Sequence, residues 1–337
     1  MIQQTVFITG VAGFLGSHLA DRLLKDGYKV IGCDNLIGGY LDNVPPGVKF
    51  FSYDCGDREA MVKIMEGVDI VYHCACTAYE GLSVFSPHLI TKNTYGIATS
   101  VLSSAISNKV KRFVFCSSMA RYGTQESLPF REEMIPKPQD PYGIAKLASE
   151  LTVRNLCETH NMEYVIAVPH NIIGPRQKYD DPYRNVASIM INLMLQNRQP
   201  VIYGDGEQQR CFSFIEDVVN PLKLLGTSDE VVGHIVNIGP DEELITINEL
   251  ARVIAEQLNF NLEPIYMADR PCEVKVATCS AQKARNLLGY KTQTSLQDGI
   301  RSMINYIRDR GVKPFRYHLD LEIVSDITPR TWKDKLF

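Results

Sequence analysis

The chain has 337 residues, with 35 Lys plus Arg against 39 Asp plus Glu, a net charge of −4, 45% hydrophobic and 22% charged residues. That balance excludes a polybasic nucleic-acid surface and low-complexity disorder, and no apolar run reaches the roughly 18 residues of a membrane helix, so neither nucleic acid nor a bilayer is an expected partner. The length suits about two domains with cores large enough to need no disulfide or metal staple.

The N-terminus, MIQQTVFITG, lacks the charged start, apolar middle and small-residue cleavage site of a signal peptide. Thr5–Thr9 reads as a strand, Leu15–Lys25 as an amphipathic helix and Lys29–Cys33 as the next strand. Val48–Ser52 is expected as a strand, the stretch near Arg58–Met65 as a helix and Ile70–His73 as a strand. A long helix is predicted near Leu89–Ser107, a strand over Phe113–Ser117, a strongly periodic helix over Tyr142–His160 and a closing strand over Tyr164–Val168. Buried runs alternating with helices predict an α/β fold built on a doubly wound parallel sheet. After Asn171 the pattern breaks on Gly174-Pro175, Asp181-Pro182, Gly204-Asp205-Gly206 and Gly239-Pro240, with helical stretches near Val186–Gln196, Ile247–Gln257 and Leu296–Arg308. The expected organisation is a first domain over residues 1–172 and mainly a smaller, loop-rich α/β lobe over 173–337, with segment 211–238 packing back on the first. Lys313–Phe337 shows no clear period and receives no role.

The nine cysteines are odd in number and scattered, and Cys33, Cys74 and Cys116 lie in apolar runs, which points to reduced thiols in a cytoplasm. Cys74 and Cys76 form a CxC with no second pair at zinc spacing; the pair reads as structural, and no metal site is expected.

Gly10-Val11-Ala12-Gly13-Phe14-Leu15-Gly16 sits between the first strand and the first helix. Gly10 suits the tight turn, Gly13 lets backbone approach a pyrophosphate, and Gly16 permits close helix packing. The helix N-terminus then faces the phosphates. Asp34, at the end of the second strand, suits hydrogen bonds to an adenosine ribose and repels a 2′-phosphate, so the expected cofactor is NAD rather than NADP. Tyr142 and Lys146, spaced i, i+4 after Asp140-Pro141, share one helix face near its start. A neighbouring ammonium lowers a phenol's pKa, and such a tyrosine can act as a base. Ser118 ends the preceding strand, where α/β sheets place ligands.

With GVAGFLG, Asp34-Asn35, CSSMARYG and PYGIAK in place, the chain resembles the extended short-chain dehydrogenase/reductase family, and within it the nucleotide-sugar epimerase/dehydratase branch. The resemblance runs from Thr5 to about Gly311 and implies a Rossmann sheet with a nucleotide-sugar lobe. By position it implies Ser118, Tyr142 and Lys146 as the catalytic set. It implies NAD contacts from Gly10, Gly13, Phe14, Leu15, Gly16, Asp34, Asn35, Asp54, Cys55, Ala75, Asn93, Ser117, Tyr142 and Lys146. For the substrate it implies Ser118, Tyr142, Asn171 at the diphosphate or sugar, Asn185 and Val186 near the base, and Tyr203 packed on uracil. Arg210 and Arg270 would clamp the diphosphate, which suits planar guanidinium forks, and Glu273 would meet a ribose. Cys211, Cys272, His170 and Arg121 depart from the family pattern.

By the same resemblance, the opening step is proton transfer from a sugar hydroxyl to Tyr while hydride goes to NAD. Sugar dehydratases of the family carry an Asp-Glu pair just after the catalytic Ser or Thr, where this chain has Met119 and Ala120. The 3,5-epimerases use a Cys there, and Cys116 on the strand reads as core. What remains is 4-epimerisation of a UDP-hexose through a transient 4-keto sugar, with a GDP- or dTDP-sugar, or a noncatalytic NAD-binding role, as alternatives. The residue seven positions after the clamp arginine gates the C2 substituent in these epimerases; counting from Arg270 puts Ala277 there, so N-acetylated sugars are expected alongside glucose and galactose. A homodimer is implied through the helices near Leu89–Ser107 and Tyr142–His160, with Ile97, Val101, Leu147 and Leu151 as candidate interface positions.

Overall fold

The computed structural model describes residues 3–337; Met1 and Ile2, which open the N-terminal stretch read above, lie outside the described residues. Strand β1 (Thr5–Thr9) is buried along its length and runs into the glycine loop, from which α1 (Phe14–Lys25) departs. β2 (Lys29–Cys33), β3 (Lys49–Phe51), α2 (Arg58–Ile64) and β4 (Ile70–His73) follow. After α3 (Glu80–Ser83), the one long helix predicted near Leu89–Ser107 is made of α4 (Pro87–Thr91), a π-turn over Lys92–Gly96 and α5 (Ile97–Ser107). A π-turn adds a residue without interrupting the helix, so counting apolar positions does not reveal it. β5 (Arg112–Cys116), α6 (Pro141–His160) and β6 (Glu163–Pro169) complete this half.

The remainder holds β7 (Ile172–Ile173), α7 (Val186–Leu195), β8 (Val201–Tyr203), β9 (Gln209–Arg210), β10 (Ser213–Phe214), α8 (Ile215–Thr227), β11 (Ile235–Ile238) and β12 (Ile245–Thr246). After these come α9 (Ile247–Leu258), β13 (Ile265–Met267), β14 (Val276–Ala277), α10 (Gln282–Leu288), α11 (Leu296–Arg310) and α12 (Arg330–Lys333).

The main sheet has seven strands in the order β11-β6-β5-β4-β1-β2-β3, each pair parallel. Both faces are covered, as parallel strands require. Phe7, Val71 and Phe113 point to one side, against Val101 and Leu102 of α5 and Val153 of α6. Val6, Ile8 and Val114 point to the other, against Leu19 and Leu23 of α1 and Val218 and Leu222 of α8. Each such side chain contributes roughly 1.5–3 kcal/mol on burial. Ile97 and Val101, named above for a subunit interface, belong to this core at 7% and 0% exposure. The large apolar side chains of α6 that reach solvent are Ile144 and Leu151, 55% and 60% exposed.

Strand order turns around β1, with β2 and β3 on one side and β4, β5 and β6 on the other. The crevice beyond the C-terminal ends of β1 and β4 is where such sheets bind ligands. The other lobe packs α7, α9 and α11 around Ile191, Leu250, Ile254 and Ile300. Three small sheets border it, β12-β9-β14, β13-β8 and β10-β7.

Candidate active site

Every site residue named from the sequence except Ala277 lines one cleft between the sheet's C-terminal edge and the smaller lobe. Ala277 is 4% exposed, pairs with Arg210 across β14 and β9, and belongs to the core cluster that includes Val274 and Cys279. This corrects the gate assignment: the side chain packs inward behind the strand that carries Arg210, so it has no wall to offer a sugar.

The dinucleotide end is shaped by glycines. Gly10 has φ 73°, and a Cβ there would sit 3.0 Å from the Ala75 backbone. A Cβ on Gly16 would lie 2.3 Å from the Gly10 carbonyl oxygen. The Asp34 carboxylate accepts from the Ala12 amide at 3.0 Å and the Leu36 amide at 2.7 Å, which fixes it at the end of β2. Burial pushes its carboxyl up, and these amides oppose the shift. Asn35 donates to Asp54 at 2.9 Å, and Cys33 and Cys55 lie sulfur to sulfur at 3.6 Å as free thiols. Asn93 sits in the π-turn, and Ala75 follows β4 with its amide bonded to Thr9 Oγ1 at 3.1 Å. Arg184 Nε and Gln177 Oε1, on residues of this cleft, are buried without hydrogen-bond partners. Glycine cradle, carboxylate and spare polar atoms together fit a dinucleotide.

Asp140 caps α6, accepting from the Gly143 amide at 2.9 Å, and Pro141 occupies its first turn. The first two turns then set Tyr142 and Lys146 against the end of β5. Lys146 Nζ donates to the Cys116 carbonyl at 2.6 Å and lies 5.8 Å from the Tyr142 ring centre. Contrary to the expected lowering, the Tyr142 phenol is pushed up: burial dominates, Cys76 and Glu80 add to it, and only the bonded Ser118 hydroxyl opposes it.

Ser118 also accepts from the Ala120 amide at 3.3 Å, opening a single turn over Met119–Arg121. Arg121, one of the departures, is buried and donates to Glu150 of α6 at 2.9 Å. The Ser117 hydroxyl donates to the same carboxylate. The end of β5 is thereby tied to the helix that carries Tyr142.

Across the cleft, Arg270 meets Glu273 at 2.9 Å and Arg210 meets it at 3.6 Å, so Glu273 serves here as counter-ion to both arginines. The Arg270 guanidinium lies 5.0 Å from the Tyr203 ring centre. Asn171 donates to the Cys211 carbonyl at 3.0 Å, and Asn185 caps α7 just before Val186 by accepting from the Ala187 amide at 3.0 Å. Of the other departures, Cys211 is fully buried beside Thr278, and His170 is buried on the Pro240 carbonyl at 2.9 Å. Cys272 adopts the left-handed φ of 60° that a glycine would take without cost.

Among the cleft residues that sequence reasoning missed are Cys76, Glu80, Arg184 and Trp332. Cys76 lies beside the Tyr142 phenol and raises it, which only its place in the CxC hinted at. Glu80 is exposed at the mouth of the cleft, with protein packed densely around it. That packing, with Asp140 and Glu273 nearby, pushes its carboxyl up to about 7 against the pull of Arg210 and Arg270.

The glycine loop, the Ser118–Tyr142–Lys146 set and the paired arginines meet in this one cleft. The chain belongs to the NAD dependent epimerase/dehydratase family, whose profile matches residues 6–239. It is 33% identical over 311 residues to a putative UDP-glucose 4-epimerase of Methanocaldococcus jannaschii, covering 91% of this chain and 99% of the relative. It superposes on the Thermotoga maritima UDP-glucose 4-epimerase solved with UDP-glucose, with TM-score 0.85 and 30% identity over 91% of this chain and 99% of that one. It also superposes on a UDP-N-acetylglucosamine 4-epimerase of Methanobrevibacter ruminantium solved with UDP-N-acetylmuramic acid, with TM-score 0.85 and 28% identity over 92% and 100%.

Proposed function

We propose that this protein interconverts UDP-hexoses at C4, taking UDP-glucose and UDP-galactose and also UDP-N-acetylglucosamine and UDP-N-acetylgalactosamine. The observation that carries the reading is one cleft with Ser118, Tyr142 and Lys146 on one wall and Arg210 and Arg270 on the other. Met119 and Ala120 are not among its lining residues, and neither side chain can move a proton in any case.

Ser118 holds the sugar's O4 while Tyr142 takes its proton, and the buried Lys146 ammonium supports the phenolate. NAD held by Gly10, Gly13, Gly16 and Asp34 would supply the hydride chemistry at C4. Arg210 and Arg270 hold the diphosphate while the 4-keto sugar turns over to present its other face. Tyr203 walls the base, with Asn185 and Val186 at the start of α7 beside it. Glu273 balances the arginines and lies within reach of a ribose.

Residues 1–172 with 211–238 form the dinucleotide half in this reading, and most of 173–337 forms the substrate lobe. The acetylated pair is supported by the likeness to the Methanobrevibacter enzyme rather than by Ala277. Two further parts of the reading are a homodimer and a cytoplasmic setting, the latter supported by nine free cysteines.

The test is the full chain with NAD on a panel of UDP-, GDP- and dTDP-sugars, with products read by NMR. C4 epimers of the UDP-sugars are the expected result. Turnover confined to GDP- or dTDP-sugars, or products altered elsewhere than C4, would overturn it.

A further inference from the structure

The C-terminal segment beyond Gly311, to which the sequence assigned no role, is stitched across both lobes. On the smaller lobe, Asn192 donates to the Lys313 carbonyl at 2.9 Å, and Tyr183 donates to that of Leu319 at 3.0 Å. On the dinucleotide side, the Glu322 carboxylate accepts from the His88 and Leu89 amides at 2.9 and 2.8 Å, capping α4. The Ile323 amide donates to the Phe85 carbonyl at 2.8 Å. The chain then returns to the cleft as α12.

There Trp332 is 4% exposed, donates through Nε1 to the Pro182 carbonyl at 3.1 Å, and packs edge-on against Tyr183 and Phe85 at 5.5 and 6.0 Å. Its neighbour Thr331 is hydrogen-bonded to the Tyr203 hydroxyl. A Cβ placed on Gly81 would lie 3.3 Å from both Arg270 Nη1 and Trp332 Cη2, so indole edge and guanidinium converge over that glycine. Arg270 in turn lies over the Tyr203 ring. The tail therefore bonds the side chain proposed to take the base and reaches the neighbourhood of the one proposed to take the diphosphate. Tyr203 is held at its hydroxyl by Thr331, and Arg270 lies over the Tyr203 ring with the Trp332 edge at the same glycine.

We propose that Thr331 and Trp332 are positioning residues of the nucleotide site, holding Tyr203 and Arg270 in the geometry that grips a nucleoside diphosphate. The proposal rests on the nucleotide-sugar reading above. An ordered aromatic wall and a pre-placed guanidinium lower the cost of binding because less freedom is lost when the ligand arrives. A loss of grip enters KM and nucleotide affinity; the chemistry at Tyr142 stays as it is.

The experiment is calorimetric titration of UDP, GDP and dTDP into the full-length protein holding NAD, together with steady-state kinetics. Trp332→Ala is expected to weaken binding of the preferred nucleotide by about tenfold or more, the scale of a buried aromatic anchor, with kcat changed less than about threefold. NAD affinity should stay unchanged, and Trp332→Phe should recover most of the loss. Thr331→Val, which keeps shape but removes the hydroxyl, should weaken the same nucleotide by about threefold to tenfold and serves if Trp332→Ala does not fold. Wild-type affinity in Trp332→Ala and Thr331→Val, or a loss that falls on kcat alone, overturns the tail's role and leaves the nucleotide-sugar reading standing. Failure of the wild type to bind any of the three nucleotides overturns both.

Discussion

At the scale of single residues, the account turns on Tyr142 and Glu80. Tyr142→Phe keeps the ring and removes the phenol. Turnover is expected to fall by at least about 100-fold, the usual scale of acid–base catalysis, with NAD binding retained; near-normal turnover would mean that another group is the base. Burial holds the phenol up in the structure. Approach of positive charge on ligand binding is what would bring it down, so its base form belongs to the loaded site.

Glu80 adds a titration inside the cleft, beside Arg210 and Arg270. Its carboxyl is pushed up to about 7, chiefly by the protein packed around it. It is therefore neutral below pH 7 and charged above. The charged form draws Arg210 and Arg270 away from a diphosphate. Affinity for UDP-glucose, a ligand whose diphosphate does not itself titrate near neutrality, should fall as pH rises from 6 to 8, by up to about tenfold. Calorimetry on Tyr142→Phe avoids turnover during the measurement. In that background Glu80→Gln should flatten the profile; an unchanged slope would show that Glu80 has no part in it.

At the scale of elements, β5 and α6 are held together by Arg121, Glu150 and Ser117 beside the catalytic set. Removing one member of a buried pair leaves the other charge unpaired. Glu150→Ala is expected to cost about 3–5 kcal/mol of unfolding free energy, whereas replacing Arg121 and Glu150 together by Leu should cost less than Glu150→Ala alone. Urea unfolding measures both; a small loss in Glu150→Ala would show the pair to be dispensable. Arg121 appeared in the sequence only as an unusual residue, because its partner lies 29 positions away on another element.

The first half was legible because period and position agree there: β1, β2 and β4 fall at the predicted bounds, and the glycine loop names its own location. α8 was hidden by Pro221 inside it. Ala277 was misplaced because a count along the chain does not say which way a strand side chain faces. In the tail, Tyr317, Leu319 and Leu321 alternate as an extended segment that packs one side inward. That signal was present, but three residues are too few to stand out against a loop.

At the scale of the whole molecule, no helix among the described residues is long and apolar enough to cross a membrane. The unpartnered feature is a stripe on α6, where Ile144, Leu147 and Leu151 recur at i, i+3 and i+7 and the outer two are more than half exposed. That spacing makes one continuous apolar face, which suits a two-fold helix pairing. Light scattering at micromolar concentration should show a dimer, and Ile144→Glu with Leu151→Glu should give a monomer that still binds NAD. A wild-type monomer would remove the interface.

The central claim is that the site oxidises C4 and returns the same hydrogen to the opposite face, touching no other carbon. Its most direct test uses UDP-galactose carrying deuterium at C4, incubated with the NAD-loaded protein in ordinary water and read by proton and carbon NMR. The account expects UDP-glucose with the deuterium retained at C4. Product that has lost the label to solvent would contradict it, as would a mirror experiment in heavy water that placed solvent deuterium at C3 or C5.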